Sequence, residues 1–112
     1  MEYEHRGMKI TDNHNKIIYL LEELRARVES PLTDLFWSSY HSVSEILEEI
    51  DSYVIRLSAM DIDVMKDIQF FIAPTGSMQE ISISNGWSDE FIVITEKLDQ
   101  LIQFNNQGET DT

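Results

Sequence analysis

The sequence predicts an all-α fold, a small antiparallel helical bundle around one long central helix. Three observations predict it. Apolar residues recur at spacings of three, four and seven through most of the chain. The segments so defined are punctuated by Pro31, by Pro74 with Gly76, and by Asn85-Gly86. Strand-like alternation is confined to one short stretch, where Ile81 and Ile83 sit among serines. The alternative is an α+β fold with a short strand or hairpin near 79–84.

The first helix starts at Thr11, Asp12 or Asn13, any of which can cap it. It carries Ile17, Leu20, Leu21, Leu24 and Val28 on one face and is stopped by Pro31. Arg25 and Arg27 suit its negative C-terminal pole. Next, Phe36, Val43, Ile50 and Leu57 recur every seven residues, with Ile46, Tyr53 and Met60 three further on and Tyr40, Leu47 and Val54 four further on. That broad stripe predicts the longest helix over residues 33–59, roughly 40 Å at ~1.5 Å per residue, with room for a break at Ser38 and Ser39. In residues 61–72, Ile62, Met65, Ile68 and Phe71 or Ile72 follow acids suited to a first turn, so a short helix ends before Pro74. Ala73-Pro-Thr-Gly76 is a turn.

Residues 77–86 read two ways. Ser77 and Glu80 have the spacing of a capping box and Asn85-Gly86 that of a helix stop, whereas a lone strand would leave its backbone groups unpaired. A short helix is the reading adopted. Ser88 then caps a last helix with Asp89 and Glu90 in its first turn and Phe91, Ile94, Leu98 and Leu101 as its stripe, ending near Phe104. Residues 105–112 are polar and read as a disordered tail, which makes 1–104 the single helical domain.

The chain has 112 residues, no cysteine, and 21 acids against 8 bases, a net charge of -13. The missing cysteines exclude a disulfide framework and any thiolate metal site. No apolar run approaches the ~20 residues of a membrane span, and the N-terminus lacks the pattern of a signal peptide, so a cytoplasmic protein is expected. Residues 1–29 are nearly neutral; residues 30–73 carry eight acids against Arg56 and Lys66, and residues 74–112 carry seven against Lys97. Such a field repels phosphate backbones and anionic lipid, which argues against nucleic acid or membrane as partner. It attracts a basic protein. The plain alternative is that acidity keeps the chain soluble.

Little in the sequence carries chemistry. His5 and His14 are expected to be solvated, and His41 and Glu45, four apart, to make an exposed contact on one helix face. Glu45 and Glu48 have the Glu-x-x-Glu spacing of helical magnesium hydrolases, yet Glu22 and Glu23 supply no matching second pair. Asp61-Ile-Asp63 begins like a calcium loop, then fails at Lys66, where glycine belongs, and at Ile72, where the last acid belongs. Gly-x-Gly-x-x-Gly, Walker, His-Glu-x-x-His and Gly-x-Ser-x-Gly patterns are absent. Pro74-Thr75-Gly76-Ser77 has the form of an anion-binding turn, but no base follows Lys66 nearby, and an ordinary capped turn explains it. No catalytic residue, metal ligand or cofactor site is therefore assigned. Glu45, Glu48, Glu49 and Asp51 are instead assigned as the contact surface for a basic partner. Trp87, between a helix stop and a helix start, is read as a wedge between helices rather than an exposed recognition anchor.

The run from Ala73 to Phe91 contains Gly76-Ser77, a hydrophobic residue, Gln79-Glu80, Ile81 and Ile83, and Asn85-Gly86, followed by a terminal amphipathic helix. This arrangement resembles a module of small uncharacterised bacterial proteins, some of the toxin-immunity type. It spans about thirty residues at the C-terminal end. Those proteins have Asn-Asp where this chain has Gln79-Glu80, and Trp87 to Phe91 lies outside the shared pattern. The resemblance implies a helical interaction protein without catalytic residues. The expected function is thus a non-enzymatic acidic protein-binding domain of the immunity or antitoxin type. The alternatives are a homodimeric structural or assembly protein that pairs through the spare width of the long stripe, and, after it, a metal-dependent hydrolase using helical carboxylates.

Overall fold

The computed structural model describes residues 2–30, 32–36 and 38–110, and side chains within 12–104 of those ranges. Among the described residues five helices follow in order: α1 (Glu2–Val28), α2 (Val43–Ser58), α3 (Val64–Phe71), α4 (Ser77–Ser84) and α5 (Ser88–Thr110). No strand occurs among the described residues, so 79–84 is helix and the α+β alternative is set aside.

The central helix is α1, not residues 33–59. It packs against both α2 and α5, while α3 leans on α2 and α4 on α5. Its core face is the expected one, Ile17, Leu20, Leu21, Leu24 and Val28, all buried. The face also continues backwards through Asn13 and His14, both buried, where polar residues masked the periodicity. The Asn13 amide donates to the Leu101 carbonyl at 3.2 Å, satisfying a polar group at the interface. That bond and the Arg27–Glu90 pair at the far end fix α1 and α5 as antiparallel neighbours. The His5 side chain lies outside the described residues.

The seven-residue stripe is helical only from Val43. Upstream, short polar side chains take the backbone for themselves: the Asp34 carboxylate accepts from the Phe36 N–H at 3.0 Å, and the Ser38 hydroxyl donates to the Leu35 carbonyl at 2.9 Å and accepts from the Tyr40 N–H at 3.2 Å. These local bonds compete with a helix and win. A capping box then opens α2, with the Ser42 hydroxyl accepting from the Glu45 N–H and the Glu45 carboxylate from the His41 N–H. Ile46, Ile50, Tyr53 and Leu57 are buried as the stripe requires, but Phe36 and Met60 are exposed. The spare width of the stripe is used internally, since Tyr40, Val43, Leu47 and Val54 pack against the core.

Two helices end the same way. At α4 the Trp87 N–H donates to the Ser82 carbonyl and the Gly86 N–H to the Ile83 carbonyl, around Gly86 at φ +82°. At α2 the Asp61 N–H reaches the Arg56 carbonyl and the Met60 N–H the Leu57 carbonyl, but the left-handed residue is Met60 at φ +61°. A side chain there costs roughly 1 kcal/mol that glycine avoids. Met60→Gly should therefore raise unfolding stability by about 0.5–1 kcal/mol in urea titration.

α3 follows an aspartate turn in which the Asp61 carboxylate accepts from the Asp63 N–H. The pair that imitates a calcium loop is thus a helix lead-in. Gly76, not Ser77, stands at the N-cap of α4, so the expected capping box does not form and the Ser77 hydroxyl is used elsewhere. The last helix continues to Thr110, six residues past the expected end at Phe104 and into the expected tail. Residues 111–112 of that tail lie outside the described residues.

Candidate functional site

Glu45, Glu48, Glu49 and Asp51 do not form one free carboxylate surface. Glu45 is exposed but engaged in the capping box, and its other oxygen lies 3.8 Å from His41 Nδ1, so the His41–Glu45 contact exists at the helix start rather than along its face. Glu48 is exposed. Glu49 is half-buried between two phenols: the Tyr40 hydroxyl donates to it at 2.7 Å and the Tyr53 hydroxyl from the other side. Burial, then the Glu49 hydrogen bond, push both phenols above their ordinary range, which keeps them as donors. Asp51 turns toward α1, where the Arg25 guanidinium grips both its oxygens at 2.8 and 3.1 Å.

Hydrogen bonding to Arg25 holds the Asp51 carboxyl below its ordinary value of 3.8, and the Arg56 hydrogen bond does the same for Asp61. Both carboxyls bind protons less readily folded than unfolded. The stability they contribute is present above the unfolded value and is lost as pH falls through the folded ones. Thermal midpoints followed from roughly pH 5 to pH 2 should fall less steeply in Asp51→Asn/Asp61→Asn than in the native chain. Equal slopes would show that these exposed pairs contribute nothing to acid unfolding.

The most constructed surface lies instead in the connector between α1 and α2, residues 29–42. Connections this long whose described residues form neither helix nor strand are uncommon and are usually functional. Its start is tied to the end of α1 by the Thr33 hydroxyl, which donates to the Val28 carbonyl at 2.8 Å. Its middle is tied to both ends of α4. At one end the Asn85 side chain treats Asp34 as a neighbouring strand would, accepting from its N–H at 2.8 Å and donating to its carbonyl at 3.0 Å. The same amide donates to the Ile81 carbonyl at 2.8 Å, which fixes its rotamer. At the other end the Ser77 hydroxyl accepts from the Ser39 N–H at 3.0 Å and bonds the Ser39 hydroxyl at 2.9 Å. The connector therefore runs antiparallel along α4. It closes on α2 through Tyr40 and Glu49.

So fastened, the connector leaves Leu32 88% and Phe36 76% exposed. Sequence periodicity had placed Phe36 in the core. Ser77 and Asn85, two residues of the module that carries the bacterial resemblance, turn out to be the clamps on the connector. The local signals were Ser38-Ser39, already a candidate break, and the Ser42-Val-Ser-Glu45 capping spacing. Nothing local marks the pairing of Asn85 with Asp34, which spans 51 positions.

Trp87, just past the module, is buried as a wedge at 7% exposure with its ring edge-on to Phe91, centroids 6.1 Å apart. No three described His, Asp or Glu side chains gather in a way that could hold a metal ion, so Glu45 and Glu48 acquire no facing acids. No helix of the described residues is long and apolar enough to cross a membrane. The chain matches no protein-family model, no curated protein and no solved structure.

Proposed function

We propose that this chain is a protein-binding domain that receives a basic protein on the connector and the first turns of α2, in the manner of an immunity protein that restrains a toxin. One observation carries the reading: the Asn85 amide clamps the backbone of Asp34, which is flanked by Leu32, 88% exposed, and Phe36, 76% exposed. A loop fixed in advance loses less conformational freedom when a partner docks, so more of the contact energy remains as affinity. Exposed apolar side chains with a charged rim are the usual make-up of such a surface. The rim is Asp34, Glu45 and Glu48, all exposed. Residues 29–87, which hold the connector and α2 to α4, carry ten acids against two bases. That field steers a cationic partner toward this side of the molecule.

The test is affinity capture from a native host lysate with three baits: the native chain, Leu32→Ser/Phe36→Ser, and Glu45→Gln/Glu48→Gln. All four positions are exposed, and the Leu32 and Phe36 changes should move thermal midpoints little. Glutamine retains the capping geometry at position 45. A basic protein should be held by the native bait, lost from the first variant, and released from the native bait as salt rises from about 50 to 500 mM. Its retention by the second variant should be weaker and less sensitive to salt. Equal retention by all three baits would contradict the reading.

A further inference from the structure

We propose that the face shared by α1 and α5 is a self-complementary surface on which a second copy of this chain docks about a two-fold axis. The face runs along both helices from Lys16 and Lys97 at one end to Arg27 and Asp89 at the other. It contains two adjoining clefts, one of about 500 Å³ bordered by Lys16, Tyr19 and Lys97, and one of about 550 Å³ bordered by Glu23, Asp89 and Val93. Its floor is apolar, from Leu20 and Leu101 in the first cleft to Ile94 in the second. Between the charged ends stand Tyr19, 65% exposed, and Val93, 49% exposed.

The charge pattern decides the occupant. In a chain of net charge -13, this face joins a cationic end to an anionic end. At the first, Lys16 is held by Asp12 at 3.5 Å, and Lys97 makes no ion pair with any described residue. At the second, Arg27 is engaged by Glu90, while Glu23 and Asp89 make no ion pair with any described residue. Lys97 and Asp89 are eight positions apart on α5, about 12 Å along its axis, with Val93 midway. A two-fold axis near Val93 and Tyr19 therefore lays Lys97 of each copy over Asp89 of the other, and Lys16 toward Glu23. The apolar middle then meets itself, as an isologous contact requires. The resulting assembly is a four-helix layer of two α1–α5 pairs. α1 is balanced at five acids and five bases and α5 carries five acids against Lys97, whereas residues 29–87 carry ten acids against two bases. With a net charge of -4 on α1 and α5 together against -8 on residues 29–87, repulsion between copies is weaker across this face than across the acidic segment.

Sedimentation velocity on the full chain, from about 1 µM to about 500 µM, tests it by mass action. The native chain should pass from monomer to dimer across this range. Lys97→Glu and Asp89→Lys, both at exposed positions, should each weaken association about tenfold or more. The double variant Lys97→Glu/Asp89→Lys restores opposite charges across the axis and should recover native association. Leu32→Ser should leave the dimer unchanged, which separates this face from the connector surface. A native chain monomeric throughout would overturn the proposal. So would a dimer indifferent to either single charge reversal, or two weakened variants whose combination stays weak.

Discussion

Trp87→Ala should destabilise the fold by about 3 to 5 kcal/mol, the range for removing a buried aromatic ring. Residue 87 does three things at once. Its N–H closes the end of α4 on the Ser82 carbonyl at 2.9 Å, and its carbonyl accepts the Phe91 N–H of α5 at 3.0 Å. Its ring fills the angle between the two helices, edge-on to Phe91 at 70°. Alanine preserves both backbone bonds, so the loss isolates the ring and its cavity. Denaturant titration measures the change, and iodide quenching with Trp37 replaced by Phe gives an independent reading. A loss under about 1 kcal/mol, or ready quenching, would mean that the indole is an exposed anchor and not a wedge.

Ile50→Ala should cost about 2 to 5 kcal/mol. Ile50 is completely buried in α2, which packs on α1 and α3, so truncation leaves a cavity between helices. Where in the range the value falls depends on how far the neighbours collapse into the space. Ile55→Ala is the control: it lies on the same helix, 68% exposed, and should stay within about 0.5 kcal/mol of the native chain. Similar losses at both positions would mean that the stripe is turned around.

The ends of the two short helices were legible, because Pro74, Gly76 and Asn85-Gly86 act through backbone geometry that needs no tertiary context, whereas the helix between Ser77 and Ser84 had to be chosen over a strand. The core face of α2 was equally plain from Val43 to Leu57. Its extension to Phe36 failed because recurrence of apolar residues does not establish burial: an apolar side chain can stand on the surface, whereas Asp34 and Ser38 bond the local backbone. α1 begins at Glu2, upstream of the expected caps Thr11, Asp12 and Asn13, and Asn13 is instead a buried residue within the helix whose amide is satisfied by the Leu101 carbonyl, a partner 88 positions away. The extent of α5 shows that a polar segment tells against a buried face, not against a helix.

The acidic cluster was the least legible. Asp51 meets Arg25 from 26 positions away, and Tyr40 reaches Glu49 only because the chain between α1 and α2 is not helical. Four neighbours in sequence thus became a cap, an exposed acid, a tyrosine-bound acid and an ion-pair partner. The candidate site moved one element upstream, to residues whose exposure follows from the Asn85 and Ser77 clamps.

That clamping is the central claim, and backbone amide exchange of Asp34 and Ser39 in the free protein tests it most directly. Both N–H groups sit in an irregular segment and are exposed enough to exchange freely unless their side-chain acceptors hold them. The native chain should protect both amides well beyond the rate of an unstructured segment. Asn85→Ala should release Asp34, and Ser77→Ala should release Ser39, while amides in the middle of α2 keep their protection. Unprotected exchange at Asp34 and Ser39 in the native chain would contradict the account, because the connector would then present no fixed surface to a partner.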